Sequence, residues 1–160
     1  MNYCPNCGSR LLTRKIDDEG NVPYCNICNE LQFYKPRICV LIAVLNDRDE
    51  IALTKQSHII KDAWILISGY VKEGEDIEAA AVREVEEELG LDVLDYKYVR
   101  SYIVENTDML MFGFMVHVHS DSFRLSTEID EAVWFSVEDA RRNILKDSIA
   151  EKLLIDIHGD

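Results

Sequence analysis

Between Gly69 and Leu91 the chain places seven glutamates in 23 residues, and the way they are spaced leaves few ways to fold. From Ile77 to Leu89 the composition favours helix and contains no Gly or Pro, while Gly90 stands where a left-handed helix cap is expected. The stretch predicts a loop, a helix over 77–89 and a stop. At about 100° per residue, Glu84, Glu87 and Glu88 fall at positions i, i+3 and i+4 and share one face. Val82, Val85 and Leu89 make a neighbouring stripe suited to packing on a sheet, and Ala80 and Ala81 leave room beside the acidic face. Carboxylates stacked this way repel one another and raise their own pKa values, so a hard divalent cation with oxygen ligands, magnesium or manganese, is the natural partner. A solvated acidic helix face has the same local spacing and no chemistry.

The wider spacing separates those two readings. Gly69, five residues, Glu75, seven residues, Arg83-Glu84-Val85, one residue, Glu87-Glu88, one residue and Gly90-Leu91 together resemble the Nudix box at all nine of its fixed or class-restricted positions. The resemblance extends over about residues 36–145. It implies an α+β fold, an α/β/α sandwich around a mixed sheet. It also implies hydrolysis of a nucleoside diphosphate linked to another group, with water attacking a phosphorus of the diphosphate and divalent metals bound.

Charge supports the same reading, because acidic side chains repel an anionic diphosphate unless metal ions bridge the two. Glu84, Glu87 and Glu88 are then expected as metal ligands, one of them also activating the water. Arg83, one turn before Glu87, is expected to orient that carboxylate. Glu75, just ahead of the helix, either orients Arg83 or favours the helix's positive end. By resemblance alone, the carbonyl of Ser68 adds a metal ligand. Also by resemblance, Glu128, six residues before Trp134, joins the metal cluster, with Glu131 as the alternative.

The N-terminal segment carries a second ligand set. Cys4-x-x-Cys7 and Cys25-x-x-Cys28, 17 residues apart, predict two tight turns that point four thiolates at one structural zinc ion, in a unit resembling a zinc ribbon. The intervening segment reads as a hairpin with its tip at Gly20-Asn21. Two disulfides suit a secreted mini-domain better than a reducing cytoplasm, and neither pair has the strand-helix context of a redox motif. Cys39 reads as a small buried hydrophobe. Residues 1–34 are thus expected as the ribbon and 35–160 as the Nudix domain.

Within the second part, Arg37 to Leu45 and Glu50 to Lys55 predict strands joined by turn residues Asn46 to Asp49. Trp64 to Ile67 predicts a strand leading into the box, and Trp64 is either a base-stacking residue or part of the core or rim. Tyr96 to Glu105 and Met109 to His119 read as a hairpin broken at Asn106-Thr107-Asp108. Phe123 to Leu125 and Val133 to Phe135 read as short strands. His117 and His119 share a strand face, as a metal pair or as solvated side chains. Ser136 and Asp147 are expected as caps of two helices, the second packing through Ile149, Leu153, Leu154 and Ile157.

With 30 acidic against 17 basic residues the formal net charge is -13, which disfavours polynucleotide and anionic-membrane partners. No apolar run approaches the roughly 20 residues that span a bilayer, and no basic-then-apolar signal pattern opens the chain; a soluble cytoplasmic protein with a small nucleotide substrate is expected. A ribbon ahead of a Nudix domain resembles the NADH pyrophosphatase group, whose habit implies a homodimer. That group carries Ser-Gln-Pro-Trp-Pro-Phe-Pro after the box and a further domain before the ribbon. Here Ser101 to Thr107 keeps only the serine, so another nucleoside diphosphate derivative is expected and an NADH or NAD pyrophosphatase is the alternative. A non-catalytic nucleotide sensor would have lost a box carboxylate, and none is lost. A nucleic-acid-binding ribbon is opposed by Asp17, Asp18, Glu19 and Glu30.

Overall fold

A computed structural model describes residues 2–105, 107–119 and 122–159. It divides into two compact units, Met1–Pro36 and Arg37–Asp160.

The first unit is a three-stranded antiparallel sheet in the order β1-β2-β3, with β1 at Leu12–Ile16, β2 at Gly20–Cys25 and β3 at Glu30–Leu31. The reversal comes earlier than expected: Asp17–Glu19 forms one 3-10 turn, and Gly20 already pairs with Ile16 as the first residue of β2. Acidic residues clustered in so short a turn hydrogen-bond their own backbone and favour a reversal over a strand. Besides Cys4 and Cys25, only Val22 and Tyr24 are buried apolar residues here among those described. A unit this small cannot be held by hydrophobic burial alone.

The second unit is a mixed sheet between helices. Its elements are β4 (Arg37–Leu45), β5 (Ile51–Lys55), β6 (Ile67–Tyr70), α1 (Ile77–Leu89), β7 (Val93–Ile103), β8 (Met109–Val118), β9 (Glu131–Phe135), α2 (Val137–Asn143) and α3 (Ile149–His158). The strand order is β7-β8-β4-β5-β9, with β6 also paired to β4. Only β4 and β8 run parallel. β4 is central and apolar from Ile38 onward because it is covered on both sides. Val40, Ile42 and Val44 pack into one core with Ala80, Ala81, Val85 and Leu89 of α1. Leu41, Ala43 and Leu45 point the other way, to Ala140 of α2 and Leu153 and Leu154 of α3. The α/β/α sandwich is therefore the observed architecture.

Several local expectations change. Ala80 and Ala81 lie fully buried on the sheet, so they bring the helix close to it instead of making room beside the acids, and Val82 is only partly buried. β7 begins at Val93, ahead of Tyr96, pairing with Val118 of β8 across an irregular step between Val93 and Asp95. Phe123 to Leu125 forms no strand; Phe123 instead stacks on Trp134, with ring centroids 4.8 Å apart. Trp64 and Ile65 contribute isolated bridges and the regular strand starts at Ile67. Ser136 caps α2, accepting from the Asp139 N–H, but Ser148 rather than Asp147 caps α3, accepting from the Glu151 N–H. A serine hydroxyl meets the N3 amide as well as aspartate does, and Asp147 adopts a left-handed conformation (φ 58°) outside the helix. Of the expected break in the second hairpin, Asn106 lies outside the described residues.

Candidate active site

The box helix is fixed before any of its acids is considered. Ala80, Ala81, Val85 and Leu89 seat it on β4 and β8, and Gly90, at φ 64°, ends it with its N–H bonded to the Glu86 carbonyl. A non-glycine residue rarely adopts that conformation. Seating this face turns Glu84 and Glu88 inward, 8% and 6% exposed, and leaves Glu87 half out, its side chain 55% exposed. Gly69, on β6, faces the Glu84 side chain so closely that a Cβ there would lie 1.9 Å from Glu84 Oε1. The first glycine of the box is thus a requirement of the first glutamate.

Arg83 ties these carboxylates together. Its Nε and Nη2 donate to the two oxygens of Glu75 at 2.6 and 2.9 Å, and Nη1 donates to Glu84 at 2.7 Å and Glu87 at 3.0 Å. Nη2 also donates to the Tyr70 carbonyl at 3.1 Å. The planar fork suits this bidentate role, which lysine cannot fill. Glu75 additionally accepts from the Lys72 backbone N–H at 2.8 Å. The guanidinium first, and that N–H second, hold the Glu75 carboxyl down to about 2. Arg83 therefore braces Glu84 and Glu87, and the trio is not left as three unneutralised charges.

Glu88 has no such neutraliser. Burial pushes its carboxyl up to about 8, and the charges of Glu84 and Glu128 add to the effect. Its carboxyl accepts from the Gln56 amide, Nε2 to Oε2 at 3.3 Å. A carboxyl that burial and two neighbouring acids keep protonated marks a place where positive charge is needed. That fits a divalent cation with oxygen ligands. The Glu84, Glu87, Glu88 and Glu128 side chains and Ser68 all border one cavity of about 680 Å³. Arg83 Nη1 bonds both Glu84 and Glu87, and among the described residues the box carboxylates do not form a ready-made ligand cluster.

Other residues singled out from sequence lie elsewhere. Glu131, on β9, pairs with Lys55 at 2.7 Å. Trp64 packs on Phe135, centroids 5.1 Å apart, under Lys55 Nζ, and does not line the cavity. His117 Nδ1 lies 3.7 Å from Asp95, and no metal-sized group includes a histidine among the described residues. Cys39 is the exception: it borders the cavity, but it is buried and its thiol is pushed up by desolvation. Sequence reasoning missed Gln56, Tyr70, His58 and Lys72, all bordering the cavity. For Gln56 the signal was present, a polar residue directly after the strand Ile51 to Lys55.

In the first unit, all four cysteine Sγ atoms lie within 4.8 Å of one another, with Cys4–Cys28 at 3.9 Å and Cys7–Cys25 at 3.5 Å. These are not bonded sulfurs, since a disulfide spans about 2.05 Å; all the cysteines are free. Zn–S bonds of about 2.3 Å in a tetrahedron put the sulfurs about 3.8 Å apart, so the set fits that ion. The Ser9 hydroxyl lies 3.0 Å from Cys7 Sγ and 3.2 Å from Cys25 Sγ. Ser9 first, and the Cys28 N–H second, hold the Cys25 thiol down to about 6, which favours the thiolate a metal needs.

A mixed sheet between helices, with the acidic face of α1 opening on one cavity, defines a Nudix-type domain. The chain belongs to the NUDIX family, whose domain model matches residues 35–156. Among curated relatives, the NAD-capped RNA hydrolase NudC of Pseudomonas aeruginosa is 31% identical over 154 residues, covering 95% of this chain and 54% of its own length. The chain thus spans about half the length of the relatives it matches. A NUDIX hydrolase of Nitrosomonas europaea shares the fold, with a TM-score of 0.73 at 19% identity over 100% of this chain and 94% of that one. A second from that organism is 26% identical, with a TM-score of 0.63 over 78% of this chain and 89% of its own.

Proposed function

We propose that this protein hydrolyses the diphosphate bond of a nucleoside diphosphate linked to another group. The observation that carries the reading is the convergence of Glu84, Glu87, Glu88, Glu128 and Ser68 on one cavity of about 680 Å³. Glu84, Glu87, Glu88 and Glu128, with the carbonyl of Ser68, are the proposed ligands for magnesium or manganese. Bound there, the cations supply charge neutralisation for the diphosphate and lower the pKa of the attacking water. Glu75 holds Arg83, and Arg83 holds Glu84 and Glu87, so the carboxylates are oriented before substrate arrives. Glu88, 6% exposed and bordering the cavity, is the proposed base as well as a ligand.

The name of the Pseudomonas relative, an NAD-capped RNA hydrolase, makes an NAD-type dinucleotide, free or at the end of an RNA, the first substrate to test. A net charge of -13 and an altered Ser101 to Thr107 segment favour the free small molecule. In the first unit we propose a structural zinc on Cys4, Cys7, Cys25 and Cys28. Four free thiols suit a reducing compartment such as the cytoplasm, and among the described residues no helix is long and apolar enough to cross a membrane.

The test is a panel of NADH, ADP-ribose, a diadenosine polyphosphate, a nucleotide sugar and an NAD-capped RNA, with magnesium or manganese in ¹⁸O-labelled water. Cleavage with one label on a product phosphate is expected, falling by about 100-fold or more in Glu88→Gln. No cleavage of any member, or equal rates for parent and variant, would overturn the reading.

A further inference from the structure

Gln56 is a buried polar side chain that borders the cavity and has no role in the proposed hydrolysis. It is 1% exposed, at the end of β5, and its amide Nε2 donates to Glu88 Oε2 at 3.3 Å. Burying an amide is unfavourable unless it is hydrogen-bonded, and an aliphatic residue would fill the space more cheaply. The donor end of the amide faces Glu88, which suits the ionised carboxylate that a cation ligand must be.

The backbone around Gln56 is fixed from two sides. Its carbonyl accepts from the Ile59 and Ile60 N–H groups at 2.9 and 3.0 Å, closing the turn that follows β5. The next residue, Ser57, donates its N–H to Asp130 at 2.6 Å, and the Asp130 N–H donates to the Lys55 carbonyl at 2.9 Å. Asp130 lies two residues from Glu128, in the segment that borders the same cavity. The Gln56-Ser57 joint is therefore bonded both to α1, through Glu88, and to the loop that carries Glu128. Arg83 braces Glu84 and Glu87, and among the described residues Gln56 is the side-chain donor to Glu88.

We propose that Gln56 is a positioning residue for the hydrolytic site. Its amide occupies Oε2 of Glu88 and so directs Oε1 to the cation and the attacking water, and the same joint keeps the Glu128 loop in register with α1. The inference rests on the proposed function, since it assigns Glu88 its orienting partner. Donors that act on a ligand from behind typically change metal affinity or turnover by about 10–100-fold when removed.

The experiment compares the parent with Gln56→Met and Gln56→Glu, which keep the side-chain volume and remove the donor. Mn²⁺ binding is followed by electron paramagnetic resonance with no nucleotide present, and turnover is followed with ADP-ribose and NADH. The expected result is a melting temperature for Gln56→Met within a few degrees of the parent, a Kd for the tightest Mn²⁺ weakened about tenfold, and kcat lowered at least tenfold. KM is expected within about threefold, a split that a loosened fold would not produce. Gln56→Glu is expected to lose turnover equally, because it swaps the donor for an acceptor at the same place. Mn²⁺ affinity in Gln56→Met within twofold of the parent would overturn the proposal. A parent that binds Mn²⁺ and cleaves neither nucleotide would instead count against the proposed function, with the Mn²⁺ comparison still deciding the role of Gln56.

Discussion

The two ligand sets of this chain are held in opposite ways. In the first unit the four cysteine sulfurs lie within 4.8 Å of one another and little else is buried around them. In the second unit the box helix is seated by a full apolar core, and its carboxylates are braced by Arg83. One set holds the structure around it together, and the other is held in place by the structure around it. The lesson concerns what a metal does in each place. In the proposed account, a cation bound at the cysteines would substitute for the core that a 36-residue unit cannot build, whereas one at the glutamates would be a reagent that a finished fold receives.

Removing a ligand from each set is the strongest way to break that contrast. Cys25→Ala is expected to unfold the first unit outright, with loss of amide dispersion for residues 2–36, while residues 37–159 keep theirs. Folded signals throughout the first unit of the variant would show that the cysteines are not its support.

Acidity sharpens the contrast from the other side. Burial raises the Glu88 carboxyl to about 8 in the folded protein, above its value of about 4.3 in an unfolded chain. The stability tied to that proton is fully present below the unfolded value and is lost as pH rises through about 8. Without added magnesium or manganese, urea unfolding should show parent stability falling from pH 5 to pH 9 relative to Glu88→Gln. The expected slope is at most about 1.4 kcal/mol per pH unit, for a total on the order of a few kcal/mol. Saturating Mn²⁺ should flatten it. Equal pH dependence in parent and variant would remove Glu88 as the buried acid.

Gly69→Ala tests how tightly the second set is fitted. Its Cβ would overlap Glu84 Oε1, so Glu84 must move by about an ångström, and turnover is expected to fall about 100-fold. Thermal melting should show the domain still folded. The smallest effect is expected at Glu131, whose pairing with Lys55 is half-exposed. Glu131→Ala should cost less than about 1 kcal/mol and leave kcat within twofold, whereas Glu128→Ala should lower it at least tenfold. A reversal of those two results would exchange their roles.

Much of this was legible in the sequence because period and spacing carry it. The helix over 77–89 and its Gly90 stop follow from composition, and the uninterrupted apolar β4 announces a strand covered on both faces. The box spacing names the family and the cysteine spacing predicts a cluster. What stayed hidden depends on contacts between distant segments. Nothing local shows that Arg83 would fork between Glu75 and two box acids, or that Gln56, 32 residues away, would meet Glu88. Ala80 and Ala81 were misread because small residues suit both a roomy face and a close approach to a sheet, and only the partner decides. Ser148 displaced Asp147 as a cap because adjacent residues compete for one amide.

The most direct measurement is a crystal grown with Mn²⁺ and ADP-ribose, read by anomalous scattering. The account predicts manganese peaks bound by Glu84, Glu87 and Glu88, with the diphosphate on their far side and Glu75 still holding Arg83. Manganese seated elsewhere, with those three carboxylates bonded only to protein, would contradict it.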